Sequence, residues 1–144
     1  MILRGCMVSP QSILLRVSMA LVPLVSITGL VQAQTADGFP FGMEMTLDAA
    51  PKPGSKRIPN LEIGTGGQTT LELWCKGGKG QFSVAGNTVI FIPGPLQDRG
   101  CPPDRAQADD ALMDALSKIT TWKRQGDEVT FIGPTTLRFS LVSD

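Results

Sequence analysis

Apolar and polar residues alternate over several short stretches of this sequence, which is the period-two pattern of a β-strand with one solvated face. Turn-forming clusters of glycine, asparagine, aspartate and proline separate these stretches, and their chemistry predicts hairpins. The predicted strands lie at positions 43–47, 58–63, 69–75, 81–85, 88–92, 122–125, 128–132 and 137–142. Positions 89–92 are apolar on both faces, which favours a central strand covered on each side.

A helical period marks positions 102–120. Pro102 and Pro103 suit a first helical turn, whose N–H groups have no intrahelical partner. The residues predicted to form a buried stripe are Ala108, Leu112, Ala115, Leu116 and Ile119. The residues predicted to face water are Arg105, Asp109, Asp110, Asp114 and Ser117. We therefore expect this helix to lie on the sheet and to cover the apolar strand at 88–92.

These elements predict a mostly β protein of the α+β class. The expected architecture is an antiparallel sheet or partial barrel of about eight strands, with one amphipathic helix inserted after the fifth. Positions 50–56 are rich in proline and glycine and predict a loop, and positions 93–100 predict a turn-rich crossing. The glycine-rich run at 76–80 predicts a tight turn.

The N-terminal part of the chain has a different composition. Basic residues precede an almost continuous apolar run at 17–31, and no acidic residue occurs before Asp37. Positions 31–33, Val-Gln-Ala, match a signal-peptidase site, which predicts a signal peptide at 1–33 and a single mature domain at 34–144. The alternative is a membrane anchor, which needs about 20 apolar residues. We expect a periplasmic or secreted protein without a stable membrane span after cleavage.

The amino-acid composition excludes several classes of binding and catalytic site. Thirteen basic and thirteen acidic residues give no formal net charge, which does not fit a basic arm that binds nucleic acid. Histidine and tyrosine are absent, so histidine-based acid–base pairs, catalytic triads and histidine metal sites are excluded. We expect no catalytic residue, no metal and no cofactor.

The cysteines depend on the predicted cleavage. Export would remove Cys6 and leave Cys75 and Cys101, and an even number in an oxidising compartment predicts one disulfide. Two buried free thiols are the alternative. A zinc site is disfavoured, since two thiols without histidine do not complete a tetrahedral ligand set.

Two features suggest a contact surface. The glycine-rich run lacks the ending of a phosphate-binding loop, although its consecutive N–H groups can accept an anion. Two tryptophans stand on polar faces of predicted strands, where an indole often belongs to a contact surface unless a helix or loop covers it. The predicted contact surface comprises Trp74, Lys76, Gly77, Gly78, Lys79 and Trp122.

Residues 75–139 resemble the META domain, the family of HslJ-like heat-shock-associated proteins. The segments that carry the resemblance are Gly80-Gln81-Phe82, residues 84–91, Gly100-Cys101-Pro102-Pro103, residues 112–116, residues 126–131 and Leu137-Arg138-Phe139. The family usually has asparagine where Lys76 stands and often has tyrosine where Phe82 stands. The resemblance implies a compact antiparallel sheet or partial barrel with one helix, in an envelope or secreted protein, and it implies no catalytic residues.

The functional prediction is a non-enzymatic periplasmic or secreted module that binds a protein or a small ligand, in the setting of envelope stress. The alternative is an inhibitor of a secreted protease, which would present residues 34–41 or a loop to the active site. An enzyme that relies on Asp109, Asp110 and Asp114 is a third possibility, but these carboxylates suit a solvated helix face better.

Overall fold

Eight antiparallel strands follow one another in chain order and close into a barrel. The computed structural model describes residues 38–143, so the predicted signal peptide and the predicted start at Gln34 lie outside the described residues. The strands are β1 (Met43–Leu47), β2 (Asn60–Ile63), β3 (Gln68–Glu72), β4 (Gly77–Ala85), β5 (Thr88–Gln97), β6 (Thr121–Gln125), β7 (Glu128–Ile132) and β8 (Leu137–Leu141). The helix α1 (Pro103–Ser117) is inserted between β5 and β6. The predicted mostly β fold with one inserted helix is confirmed, and its sheet is a closed barrel.

The core fills the inside of the barrel with alternate residues of each strand. Met45 of β1, for example, faces Leu61 of β2 on one side and Leu141 of β8 on the other. The fully buried side chains include Phe82, Phe91, Phe131, Phe139, Met45, Leu61, Ile63, Leu71, Leu116, Val89 and Val129. This alternation is why the period-two pattern located most strands correctly.

The closure between β5 and β6 is narrow. These strands pair only at Thr88 and Thr121, whereas β6 and β7 pair along their whole length. The helix α1 packs against β5 and buries Leu112, Met113 and Leu116. These three side chains belong to the same hydrophobic core as the inward residues of the barrel.

The strand β5 continues to Gln97, so the predicted crossing at 93–100 is wrong for most of its length. Prolines made this stretch look like a break. Pro93 is paired in register with Gly80 of β4, but β5 has no strand partner on its other side beyond Thr88. Because proline is tolerated where a strand edge needs no N–H donor, the strand passes through it.

The expectation that the apolar strand at 88–92 is covered on each face is also wrong. The outward side chains of Ile90 and Ile92 remain 55% and 57% exposed, so α1 packs against β5 without covering its outer face. Val89 and Phe91 point inward and are buried. The strand is therefore covered on one face only.

An aromatic cluster closes one end of the core. Phe39 is buried just before β1, and its ring centroid lies 5.0 Å from Trp122, 5.5 Å from Phe82 and 6.2 Å from Phe131. Such aromatic contacts add to the stabilisation from burial alone. The chain is thus anchored to the barrel from Phe39 onward. Within residues 38–143 no helix has the length and apolar character needed to cross a membrane.

Candidate functional site

Asp109 contacts two residues of the predicted contact surface, Trp74 and Lys76, and it is fully buried. Its carboxylate accepts hydrogen bonds from the backbone N–H groups of Trp74, Cys75 and Lys76 at 2.9, 3.0 and 2.7 Å. The prediction that Asp109 faces water is therefore wrong. Three consecutive N–H groups form an anion-binding concavity, and an internal carboxylate fills it. The turn between β3 and β4 is consequently fixed to the helix.

The two cysteines lie beside this contact. Cys75 and Cys101 are at disulfide distance, with 5.7 Å between their Cα atoms and a sequence separation of 26. Lys76 Nζ lies 2.6 Å from Asp110, and this hydrogen bond raises the pKa of Lys76. The residues after β3 are thus held by the helix through backbone and side-chain contacts, and by Cys101, just before the helix, through sulfur.

The glycine-rich run is a strand and not the predicted tight turn. Gly77 to Gly80 belong to β4 and pair with β3 and β5. A Cβ atom on Gly80 would collide with the ring of Phe91, and one on Gly78 would meet Leu96 at 2.8 Å. These glycines are required because large side chains of β5 pack over the backbone of β4.

The structure does not bring Trp74 and Trp122 together. Trp74 precedes β4 and is buried, so it is not an exposed indole. The Trp122 indole donates a hydrogen bond of 2.8 Å to the carbonyl oxygen of Gly86, which follows β4. The two rings therefore lie near opposite ends of a nine-residue strand, and Lys79 on the outer face is exposed between them. The predicted residues do not form one continuous surface.

The outer face of β5 carries the exposed aliphatic residues that the sequence did not identify as a site. Ile90 faces Ser83 and Ile92 faces Gln81 on the neighbouring strand. Most other outward positions of the barrel are polar or charged, for example Thr70, Lys79 and Arg138. The sequence did carry a signal, since 89–92 are apolar on both faces, but we interpreted it as burial under the helix.

A cleft of about 740 Å³ opens between β1, β2 and β8. Its walls include the exposed Met43 and Val142, and Arg124 Nη1 lies 3.8 Å from the Met43 sulfur. Glu44 and Glu62 face each other across β1 and β2 at its rim, and neither forms a salt bridge with a described residue. The charged groups that line the cleft are carboxylates and one guanidinium.

A second ionic cluster lies on the outer surface near the end of β3. Glu72 accepts hydrogen bonds from Arg99 at 2.8 and 3.1 Å and from Arg57 at 3.1 Å. The hydrogen bond from Arg99, with the charges of both arginines, lowers the pKa of Glu72. Among residues 38–143 no group of three potential metal ligands comes together. The ionic cluster therefore joins the end of β3 to the segments around Arg57 and Arg99.

Comparisons with known proteins agree with the fold. The family model described as META domain matches residues 43–143. A solved NMR structure of a protein from Burkholderia xenovorans is similar, with a TM-score of 0.59 and 16% sequence identity, over 76% of this chain and 88% of that one. At this identity the likeness shows the fold alone. No curated protein matches this chain.

Proposed function

The chain belongs to the META domain family, and from that premise we propose that it is an exported, non-enzymatic module that binds a protein partner through the outer face of β5. We name this face the isoleucine surface, defined by Ile90 and Ile92. The exposure of these two side chains is the observation that carries the proposal. Two neighbouring outward isoleucines, each more than half exposed, form the kind of apolar patch that a partner covers in a complex. The folding of the isolated domain does not require these two positions to be apolar.

The surroundings of the isoleucine surface favour a protein over a charged small ligand. The residues facing it on β4, Ser83 and Gln81, are uncharged. An apolar centre with a polar, uncharged border resembles the anatomy of a protein interface. The partner is expected to present an apolar patch of its own, and its binding should depend little on salt.

The non-enzymatic part of the proposal rests on the available side chains. General acid–base chemistry near neutral pH would fall to carboxylates or lysines, since the sequence has no histidine. Asp109 has its oxygens occupied by three backbone donors, and Asp110 and Asp114 are paired with Lys76 and Lys118. These contacts support structural roles for the helix carboxylates.

The export part rests on the sequence pattern of residues 1–33 and on the cysteine pair. An oxidising compartment would suit a disulfide between Cys75 and Cys101. Protein purified from the periplasm should begin at Gln34, which mass spectrometry of the intact chain would show. Material that retains residues 1–33 and fractionates only with membranes would contradict export.

The protease-inhibitor alternative loses part of its support. One form of it presents residues 34–41 to an active site, but Phe39 is buried in the aromatic cluster, and the other form, which uses a loop, is not affected. The described end of that segment is thus held by the barrel.

Site-specific photo-cross-linking in cells tests the binding proposal. A photoreactive residue at position 90 should give a discrete adduct, whereas one at Thr70, an exposed outward position of β3, should not. The adduct should disappear when Ile92→Lys is added. In cell extracts it should still form when 0.5 M salt, which shortens the Debye length to about 4 Å, is present during irradiation. Equal adducts from both positions, or an adduct unaffected by Ile92→Lys, would remove the isoleucine surface from consideration.

A further inference from the structure

Two buried side-chain N–H groups belong to residues that contact the turn at 52–55, and neither has an acceptor among the described residues. Trp74 Nε1 and Arg105 Nε have no hydrogen-bond partner among the described residues, and only 8% of Trp74 is exposed. Buried polar groups in folded proteins are nearly always hydrogen-bonded. Two orphaned donors in one neighbourhood therefore indicate an acceptor that the protein itself does not supply.

Contacts with the turn place both donors in that neighbourhood. The Ser55 hydroxyl donates to the Trp74 carbonyl oxygen at 2.8 Å, and Arg105 Nη1 donates to the Gly54 carbonyl oxygen at 3.1 Å. Lys52 Nζ lies 5.4 Å from the centre of the Trp74 ring. The turn thus touches Trp74 at two points and Arg105 at a third.

The helix α1 also links Trp74 and Arg105. Arg105 precedes Asp109 by one helical turn, so the two lie on the same face of α1. Asp109 accepts the Trp74 backbone N–H at 2.9 Å. Trp74 and Arg105 are consequently held by neighbouring positions of one helix face as well as by the turn above them.

The turn has a defined shape. The Ser55 N–H donates to the Lys52 carbonyl oxygen at 2.9 Å, and Gly54 has φ +75°. Proline at the second position and glycine with positive φ at the third are the sequence signature of a type II turn. This exposed turn contacts Trp74 and Arg105 but accepts a hydrogen bond from neither Trp74 Nε1 nor Arg105 Nε.

The chemistry of the neighbourhood selects an acceptor with negative charge. Trp74 and Arg105 offer N–H donors only, and Lys52 adds a second positive charge. The nearby carboxylate of Asp109 already accepts hydrogen bonds from three N–H groups, so it repels a bound anion less than a carboxylate without donors would. We propose that a small anion, such as chloride or a carboxylate, binds beside the turn at 52–55. It accepts hydrogen bonds there from the Trp74 indole N–H and the Arg105 guanidinium.

The two tryptophans allow a direct test on the full chain labelled with ¹⁵N. The Trp74 indole signal should shift saturably when chloride, and separately acetate, is added at ionic strength held constant with a bulky sulfonate. The Trp122 indole, which donates to Gly86, is the internal reference and should not move. The comparison of chloride with acetate shows whether the site takes any small anion or requires a carboxylate.

Matched variants assign the shift to the site. Arg105→Gln should abolish saturation, whereas Arg99→Gln, which alters an exposed arginine bonded to Glu72, should leave it unchanged. Lys52→Gln changes an exposed side chain and should weaken binding about fivefold, as expected for loss of one nearby charge. An unsaturable shift of the Trp74 indole signal, an equal shift of the Trp122 signal, or no shift of the Trp74 signal at any anion concentration would overturn the proposal.

Discussion

Asp109 accepts a hydrogen bond from the backbone N–H of Trp74 across 35 residues of chain, and this contact joins the helix to the barrel. The same carboxylate satisfies the next two N–H groups, of Cys75 and Lys76. No other described side chain bonds three successive backbone donors. The contact explains why a charged residue is fully buried in a small protein.

Replacing Asp109 by alanine should lower the free energy of unfolding by about 3 kcal/mol, because it leaves buried donors unpaired. Asp110→Ala is the matched control on the neighbouring position. It removes an ion pair whose carboxylate is 61% exposed, so the loss should stay below about 1 kcal/mol. Urea unfolding of both variants checks the difference. Equal losses would mean that the helix is rotated relative to the structure.

The cysteine pair should stabilise the same junction. We expect Cys101→Ser to lower the free energy of unfolding by about 2–5 kcal/mol. The double variant Cys75→Ser/Cys101→Ser should be no less stable than the single one, since the bond is already lost. Peptide mapping without reductant should recover the linked pair. Two thiols that react freely with an alkylating agent in exported material would contradict the prediction.

The helix should contribute through its buried leucines. Leu116 is fully buried, and Leu116→Ala should cost about 2–5 kcal/mol through the cavity that it leaves. Ile90→Ala removes a side chain that is 55% exposed and should cost less than about 1 kcal/mol. Thermal or urea unfolding distinguishes the two. A large loss at Ile90 would show that its side chain is covered in the isolated protein.

Acid should weaken the ionic cluster around Glu72. The hydrogen bond from Arg99 lowers the pKa of Glu72 in the folded state below its ordinary value of 4.5. A depressed folded-state pKa contributes stability that is complete above the unfolded-state pKa and is lost as the pH falls through the folded-state pKa. The contribution should therefore begin to decline as the pH falls below about 4.5 and be gone once the pH is below the folded-state pKa. It should be small, because the cluster is exposed.

The test is to follow the Glu72 carboxyl by NMR during an acid titration. In the Arg99→Gln variant it should titrate at a higher pH than in the parent chain, since its principal donor is gone. Arg124→Gln, which removes a guanidinium bonded elsewhere, should leave the titration unchanged. A Glu72 pKa that is the same in all three proteins would show that the Arg99 contact does not persist in solution.

Local patterns of the sequence were sufficient for the strands and the helix, but not for contacts between distant segments. Alternation placed β1, β7 and β8 closely because each has one face in the core. The burial of Asp109 could not be read from helical periodicity, since its partners are backbone groups 33 to 35 residues away. Carboxylates on a helix usually face water, and only the position of the turn after β3 reverses that preference.

The environment of β5 was misread for a related reason. An apolar run such as Val89–Ile92 does not reveal which neighbours cover each face, because that depends on where the helix packs. The burial of Trp74 likewise follows from the turn at 52–55 and from α1, which are remote in sequence. Candidate surfaces were therefore the least predictable part of the molecule.

The glycines of β4 supply a final prediction about the run that first suggested an anion-binding loop. Gly80 faces inward beside the Phe91 ring, so Gly80→Ala should cost about 1–3 kcal/mol through overpacking. Lys79→Ala, the neighbouring outward position, should cost less than about 0.5 kcal/mol. Denaturant unfolding measures both losses.

Phe91→Leu offers a second arm, because a smaller side chain gives the added methyl group room. In the Phe91→Leu background, Gly80→Ala should cost less than it does in the parent chain, and the difference is the coupling between the two positions. If Gly80→Ala left stability unchanged in both backgrounds, packing would not explain the glycine. The run would then have to be reconsidered as a site where the backbone must remain accessible to a ligand.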